Sequence, residues 1–124
     1  MGDPFTIRVS FSASQPLRPV VGITFKTSHG APVFNVSDRL ARQLGSCEPM
    51  SRGAVDCRIE KLYLMPGTYF LDLWLGNPDH DIDAVLDAIS FEVLPADLLG
   101  TGQLPPPSLG PVFCSAAWSV TGVA

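Results

Sequence analysis

Two aromatic residues flank a carboxylate on one side of a short predicted strand. The segment from Leu64 to Leu75 holds a Pro-Gly turn followed by alternating residues, and side chains on a strand alternate between its two faces. One face therefore carries Phe70, Asp72 and Trp74. An aromatic plane stacks on the apolar face of a sugar ring, and a carboxylate accepts hydrogen bonds from sugar hydroxyl groups. The pattern predicts a sugar-binding surface.

The opposite face of this strand, Tyr69 with the leucines up to Leu75, is apolar and is predicted to lie in a core. A second interpretation of the Phe70 and Trp74 face stays open. A loop or another protein chain could cover it, because an exposed apolar patch usually marks an interface.

Composition limits the classes of protein to which the chain can belong. Its 124 residues suffice for one domain, and its 12 Pro and 11 Gly favour many short strands over long helices. The net charge is -4 without any cluster of Lys and Arg, which argues against nucleic acid as a partner. No apolar run reaches transmembrane length. The three cysteines, an odd number without a signal peptide, predict reduced, buried thiols and a cytoplasmic location.

Alternating segments define the elements that position the aromatic residues. They predict strands over 5–11, 20–27, 67–76 and 86–94, and further short strands with turns between them indicate an all-β, antiparallel β-sandwich. The last three of these strands are expected to share one sheet. Its outward face would gather the candidate carbohydrate-binding residues Trp74, Asp72, Phe70, Lys26, Thr24, Ser90 and Glu92.

Three local features accompany these strands. Tyr69 follows a Pro-Gly turn and is predicted to be a tyrosine-corner residue that bonds to backbone upstream. A helical turn or two is expected over 38–44, with Asp38 as N-cap and Gly45 as C-cap. The alternation slips by one residue at Glu60-Lys61, which predicts a bulge.

The C-terminal part has a different amino-acid composition. Residues 96–111 are rich in Pro and Gly and are predicted to be a linker, after a β-sandwich over 1–95. Residues 112–124 then resemble a strand. A compact domain seldom holds a long structureless loop before its last strand, so this strand is expected to cross to a second copy in a swapped dimer. The residues assigned to dimerisation are Val112, Phe113 and Trp118.

Other chemistry finds weaker support. The stretch from Asp79 to Asp83 resembles the start of a calcium loop, but Ala84 and Ser90 stand where that loop needs Gly and Glu. Asp72 and Glu92 could form a two-carboxylate glycosidase pair. Neither possibility is preferred, and the chain is predicted to be a non-enzyme without catalytic residues, metal or cofactor.

Several segments match a known family in order and spacing. They are Pro19-Val20-Val21-Gly22-Ile23-Thr24-Phe25-Lys26-Thr27, His29-Gly30 with Val33-Phe34, Ile59 with Leu62-Tyr63-Leu64-Met65-Pro66-Gly67-Thr68-Tyr69, and Ile82-Asp83 with Asp87-Ala88-Ile89-Ser90-Phe91-Glu92-Val93. With them the chain resembles the C-terminal domain of Wzt-type ATP-binding subunits of bacterial O-antigen polysaccharide ABC exporters.

The resemblance implies an immunoglobulin-like sandwich that binds the exported polysaccharide and forms a homodimer by exchanging its C-terminal strand. It also implies a longer protein, with a nucleotide-binding domain and a transmembrane exporter subunit as partners, at the cytoplasmic side of the inner membrane. The chain contains no Gly-x-x-x-x-Gly-Lys-Ser/Thr loop. It is therefore expected to be a fragment of such a subunit.

Overall fold

Antiparallel strands build the molecule. The computed structural model describes residues 1–44, 47–106 and 109–122. In these ranges the elements, in chain order, are β1 (Phe5–Leu17), β2 (Val20–Thr27), β3 (Pro32–Ser37), α1 (Asp38–Ala41), β4 (Met50–Ile59), β5 (Gly67–Gly76) and β6 (Asp81–Val93).

The strands form two sheets that pack face to face. One is two-stranded, with the order β1-β4, and the other is four-stranded, with the order β3-β2-β5-β6. Every pair is antiparallel. The predicted immunoglobulin-like, all-β sandwich is thereby confirmed, as is the shared sheet of β2, β5 and β6.

The core lies between the sheets and is mainly aliphatic and aromatic. Ile23, Phe25, Leu64 and Leu71 are at most 1% exposed. The Phe25 ring stacks on Phe34 with 4.3 Å between centroids. Because β2 and β5 contribute alternate residues to this core, their remaining side chains must point away from it.

A tyrosine corner fixes the start of β5. The buried Tyr69 hydroxyl donates to the Met65 carbonyl oxygen at 2.7 Å, as the sequence predicts. Gly67 between them has a φ of 154°, a backbone conformation that favours glycine. The same hydroxyl lies 3.3 Å from the Pro111 carbonyl oxygen, so the corner also contacts the C-terminal segment.

Some predicted boundaries are wrong. The N-cap of α1 is Ser37, whose Oγ accepts the Arg39 N–H, while the Asp38 carboxylate instead accepts the N–H groups of Gln43 and Leu44. An extended backbone at Ser37 makes it the cap. Gly45, the predicted C-cap, lies outside the described residues. In addition, β4 ends at Ile59 rather than continuing through a bulge at Glu60-Lys61.

The inner side of β6 is only partly covered. Val85 and Ile89 pair with core residues of β5, yet they are 49% and 55% exposed. Both side chains thus face the inner side of the sheet without being buried. The opposing sheet has two strands and leaves an open cavity of about 240 Å³ between β1 and β6.

The C-terminal segment touches the sandwich and then leaves it. Val112 forms an isolated bridge with Leu64, and the Phe113 N–H donates to the Tyr63 carbonyl oxygen at 2.9 Å. From 114 to 122 the described residues contain no strand, and Trp118 is 93% exposed. The linker over 96–111 and the exchanged strand remain predictions.

Two further facts concern the chain as a whole. The Met1 ammonium donates to the Leu94 carbonyl oxygen at 3.2 Å, so the first residue lies beside the end of β6. Among the described residues no helix has the length and apolarity required to span a membrane.

Candidate functional site

The four-stranded sheet brings most of the predicted site residues together on its outer face, the surface turned away from the two-stranded sheet. Thr24 pairs with Asp72, Lys26 with Phe70, and Phe70 in turn with Ser90. Trp74 follows Asp72 on the same side of β5, about 7 Å along the strand. Glu92 pairs with Thr68 and lies at the far end of this face.

An ion-pair triad occupies the centre of the outer face. The Lys26 Nζ lies 2.9 Å from Asp72 Oδ1 and 2.6 Å from Asp87 Oδ1. The backbone N–H of Asp87 also donates to Asp72 Oδ1 at 2.8 Å. One oxygen of Asp72 thus receives two donors. The side chain is only 9% exposed, and its Oδ2 takes no hydrogen bond from the described residues, so it keeps lone pairs for a further donor.

Asp87 is a member of this triad that the sequence analysis missed. Strand alternation would place it on the inner side with Val85 and Ile89. Instead, the register between β5 and β6 shifts between Leu71 and Leu73, and Asp87 adopts a left-handed φ of 51°. The available signal was an acidic residue at an apolar position of the alternation, which indicates a bulge.

The triad stabilises the charged forms of Lys26 and Asp72. Hydrogen bonds from Lys26 first to Asp87 and then to Asp72 raise the pKa of the Lys26 ammonium. Burial by itself would raise the pKa of Asp72, but the Asp87 N–H and the Lys26 ammonium together hold that pKa below its ordinary value. Lys26 and Asp72 are therefore both ionised at neutral pH.

Trp74 stands between small neighbours. It pairs with Gly22 on β2 and with Ala84 on β6. The indole is half-buried. On the next strand, the Asn35 Nδ2 donates to Thr24 Oγ1 at 2.9 Å, which adds an amide to this face that sequence reasoning had not included.

An arginine closes one end of the outer face. The Arg39 guanidinium donates to the carbonyl oxygens of Pro78 and Asn77, at 3.0 and 3.2 Å, and to Asp81 Oδ1 at 2.9 Å. It ties α1 to the turn between β5 and β6. Asp81 is consequently engaged in an ion pair and belongs to β6.

The alternative chemistries lose support from this geometry. Asp72 and Glu92 are about 13 Å apart along the sheet, beyond the separation of a glycosidase pair. A lowered pKa at Asp72 is also the opposite of what a general acid needs. In the described ranges, no group of three or more His, Cys, Asp or Glu side chains could hold a metal ion.

The thiols differ from the expectation of buried cysteines. Cys47 and Cys57 are half-buried, Cys114 is exposed, and none forms a disulfide in the part of the chain that the structure describes. Burial raises the pKa of the Cys57 thiol.

The family model of the Wzt C-terminal domain matches residues 1–104. The chain belongs to the Wzt C-terminal domain family. The resemblance that the sequence segments indicate is thereby confirmed.

A solved structure supports the same fold. The chain is similar to the crystal structure of the C-terminal domain of wzt, with a TM-score of 0.63 and 21% sequence identity over 95% of this chain and 69% of that chain. At that identity the likeness to a Wzt C-terminal domain shows the fold alone. A comparison with curated proteins finds no match.

Proposed function

We propose that this Wzt C-terminal domain binds O-antigen-type polysaccharide, without catalysis, for recognition by an ABC exporter. One observation carries the proposal: Phe70 and Trp74 flank the fixed Asp72 carboxylate on the outer face. Flat apolar surfaces beside a charged acceptor suit a sugar, which has an apolar ring face and hydroxyl donors at its edge. Family membership adds the exporter context.

The triad makes Asp72 a pre-organised acceptor. Because Lys26 and the Asp87 N–H hold Oδ1, the carboxylate cannot rotate freely, and a ligand would not have to order it. Oδ2 then accepts a sugar hydroxyl beside the Trp74 indole, and the Asn35 and Thr24 pair continues the polar surface toward β3. Fixed polar groups lower the entropic cost of binding.

Each domain alone needs only modest affinity. An open polar face of this kind binds with a dissociation constant of about millimolar to micromolar, or about 4 to 8 kcal/mol. A homodimer that holds one long polymer at two points would raise the apparent affinity through effective concentration. This arrangement suits a repetitive polysaccharide.

The test is a titration of glycan against Trp74→Ala. A panel of purified neutral O-antigen polymers of mannose, galactose or rhamnose is screened, and a short oligosaccharide of the strongest binder is titrated by calorimetry. We expect Trp74→Ala to weaken binding at least about tenfold, since the stacking surface of an aromatic ring is lost. Unchanged affinity in Trp74→Ala would place the site elsewhere, and no binding by any polymer would refute the proposal.

Trp118→Ala is the matched control. It removes the same side chain from an exposed position on the C-terminal segment. For a short oligosaccharide, which cannot bridge two domains, this variant should bind like the unmodified chain. A loss equal to that of Trp74→Ala would mean that the binding surface involves the C-terminal segment.

A structural dimerisation module is the second candidate. It is favoured by the exposed apolar side chains of Trp118 and Val120 and by the half-buried Phe70 and Trp74 of the outer face, which a second copy could cover. In that case the Phe70 and Trp74 face packs on protein. Sedimentation analysis separates the two candidates, because Trp74→Ala would then dissociate the dimer and leave no sugar affinity to lose.

A further inference from the structure

Gly22 occupies the middle of β2, where glycine is unfavourable. A glycine inside a strand destabilises it relative to alanine, and it often marks a bulge or a place where a ligand approaches closely. The β2–β5 register runs without interruption through Gly22, and its φ is not positive. The backbone therefore gives no reason for glycine at this position.

Packing gives no reason either. A Cβ added at Gly22 would find Ser37 Oγ at 3.7 Å and both Ser37 Cβ and Trp74 Cβ at 4.0 Å, which is ordinary van der Waals contact. The glycines at other strand positions differ. At Gly53 the added atom would lie 2.6 Å from Met50 Sδ, and at Gly76 it would lie closer still to the His80 carbonyl.

The missing side chain leaves a depression on the outer face. It lies between Ser37 on β3 and Trp74 on β5, the two residues that pair with Gly22. A Cβ at Gly22 would lie 4.0 Å from Trp74 Cβ, so Trp74 borders this space. We call this space the Gly22 depression.

Its rim offers a hydrogen-bonding group. Ser37 Oγ accepts the Arg39 N–H at 3.2 Å, which uses one lone pair and leaves the hydroxyl hydrogen and a second lone pair. An aromatic side chain on one side and a hydroxyl on the other match the apolar face and the hydroxyl edge of a sugar ring.

The charges around the depression indicate which sugars fit. Lys26 is paired with two carboxylates, and Arg39 already donates to Asp81 and two carbonyl oxygens. Lys26 and Arg39 are thus paired with carboxylates within the chain. An anionic sugar would meet Asp72 and Asp87 without a cation ready to pair with it.

We infer that the Gly22 depression receives one uncharged sugar ring and that Gly22 is a specificity-determining residue. The inference rests on the proposed function, because it assigns part of the same outer face to the ligand. It explains why a strand keeps a residue that weakens it: a methyl group at this position would occupy the space of the ring.

Gly22→Ala tests the inference, because it should raise the thermal stability of the chain and lower its affinity for sugar. We expect the midpoint of thermal unfolding to rise by about 2 to 4 °C, while affinity for the short neutral oligosaccharide falls at least about tenfold. Ala54→Gly is the matched control. It makes the reverse exchange on the exposed side of β4, and it should lower the unfolding midpoint without changing affinity.

The outcomes separate this inference from the proposed function. If Trp74→Ala loses binding but Gly22→Ala keeps it, the depression is not part of the site and only the inference fails. If both variants bind normally, both proposals fail. Polygalacturonate, an acidic polymer, should not bind at low salt, and its binding at least as well as a neutral polymer would overturn the assignment of an uncharged ring.

Discussion

The Asp72 carboxylate, which lies on the outer face, makes the stability of the folded sheet depend on pH. Its pKa is lowered on folding by the Asp87 N–H and Lys26, so the folded chain holds its proton less tightly than the unfolded chain does. Such a group contributes stability above its unfolded pKa of about 3.9, and the contribution is lost as the pH falls through the folded value.

The pH dependence of Asp72→Asn follows from this sign. In urea unfolding at pH 6 to 7, the free energy of unfolding should be larger for the unmodified chain than for the variant. This difference, the stability gap, should narrow progressively below about pH 4. Above pH 5 the gap should be constant. A gap that stays the same down to pH 2 would contradict the assigned role of Lys26 and the Asp87 N–H.

Tyr69 is a structural residue despite lying beside Phe70. Tyr69→Phe keeps the packed ring but leaves the buried Met65 carbonyl oxygen without its 2.7 Å hydroxyl donor. We expect a loss of about 1 to 3 kcal/mol in the free energy of unfolding, measured with urea, and unchanged glycan affinity. Tyr63→Phe, at a position 44% exposed, should change stability by less than about 0.5 kcal/mol. Equal effects of the two variants would refute the tyrosine corner.

At the scale of elements, Arg39 joins α1 to the turn between β5 and β6. Its guanidinium reaches three acceptors at once, a fork geometry that lysine cannot reproduce. Arg39→Lys should cost about 1 kcal/mol and accelerate amide hydrogen exchange in the helix and the turn. Arg42→Lys, three residues along in the same exposed region, should leave exchange unchanged. Similar acceleration in both variants would show that charge in this region, rather than the fork, is responsible.

Sequence patterns predicted the strands and the tyrosine corner better than the bulge and the contacts between neighbouring strands. Strict alternation marked β2 and β5, and the Pro-Gly-x-Tyr turn correctly predicted the tyrosine corner. An acidic residue at an apolar position was the one hint of the shift that turns Asp87 outward, and alternation could not give its register, because a bulge depends on the pairing of two strands. For the same reason Asn35 and Gly22 gained a role only when β3 and β5 were placed beside β2.

The candidate site was predictable as far as its residues lie on a single strand. Phe70, Asp72 and Trp74 follow from the period of β5 alone. Glu92 was grouped with them because it shares their side of the sheet, but register places it opposite Thr68, well away from Asp72. The sequence likewise could not show that Asp81 pairs with Arg39, since those residues are distant in the chain.

At the scale of the whole molecule, the predicted strand exchange can be tested without disturbing the sandwich. A chain ending after Cys114 keeps the Pro111, Val112 and Phe113 contacts with the Tyr63 to Tyr69 region. Light scattering should show a dimer for the full chain and a monomer for the shortened one. Short-oligosaccharide affinity should be retained, whereas affinity for the long polymer should fall because two-point attachment is lost. A dimer that survives the truncation would show that residues 115–124, including Trp118, do not hold it together.

Because Met1 lies beside Leu94, the sandwich could be inserted into another protein. Because the first residue and the end of β6 are 3.2 Å apart at one hydrogen bond, residues 1–94 could be spliced into a surface loop of an unrelated host protein with short connections on both sides. The host would keep its own path on either side of the insertion. The outer face of β2 and β5 would then be displayed on the surface of the host.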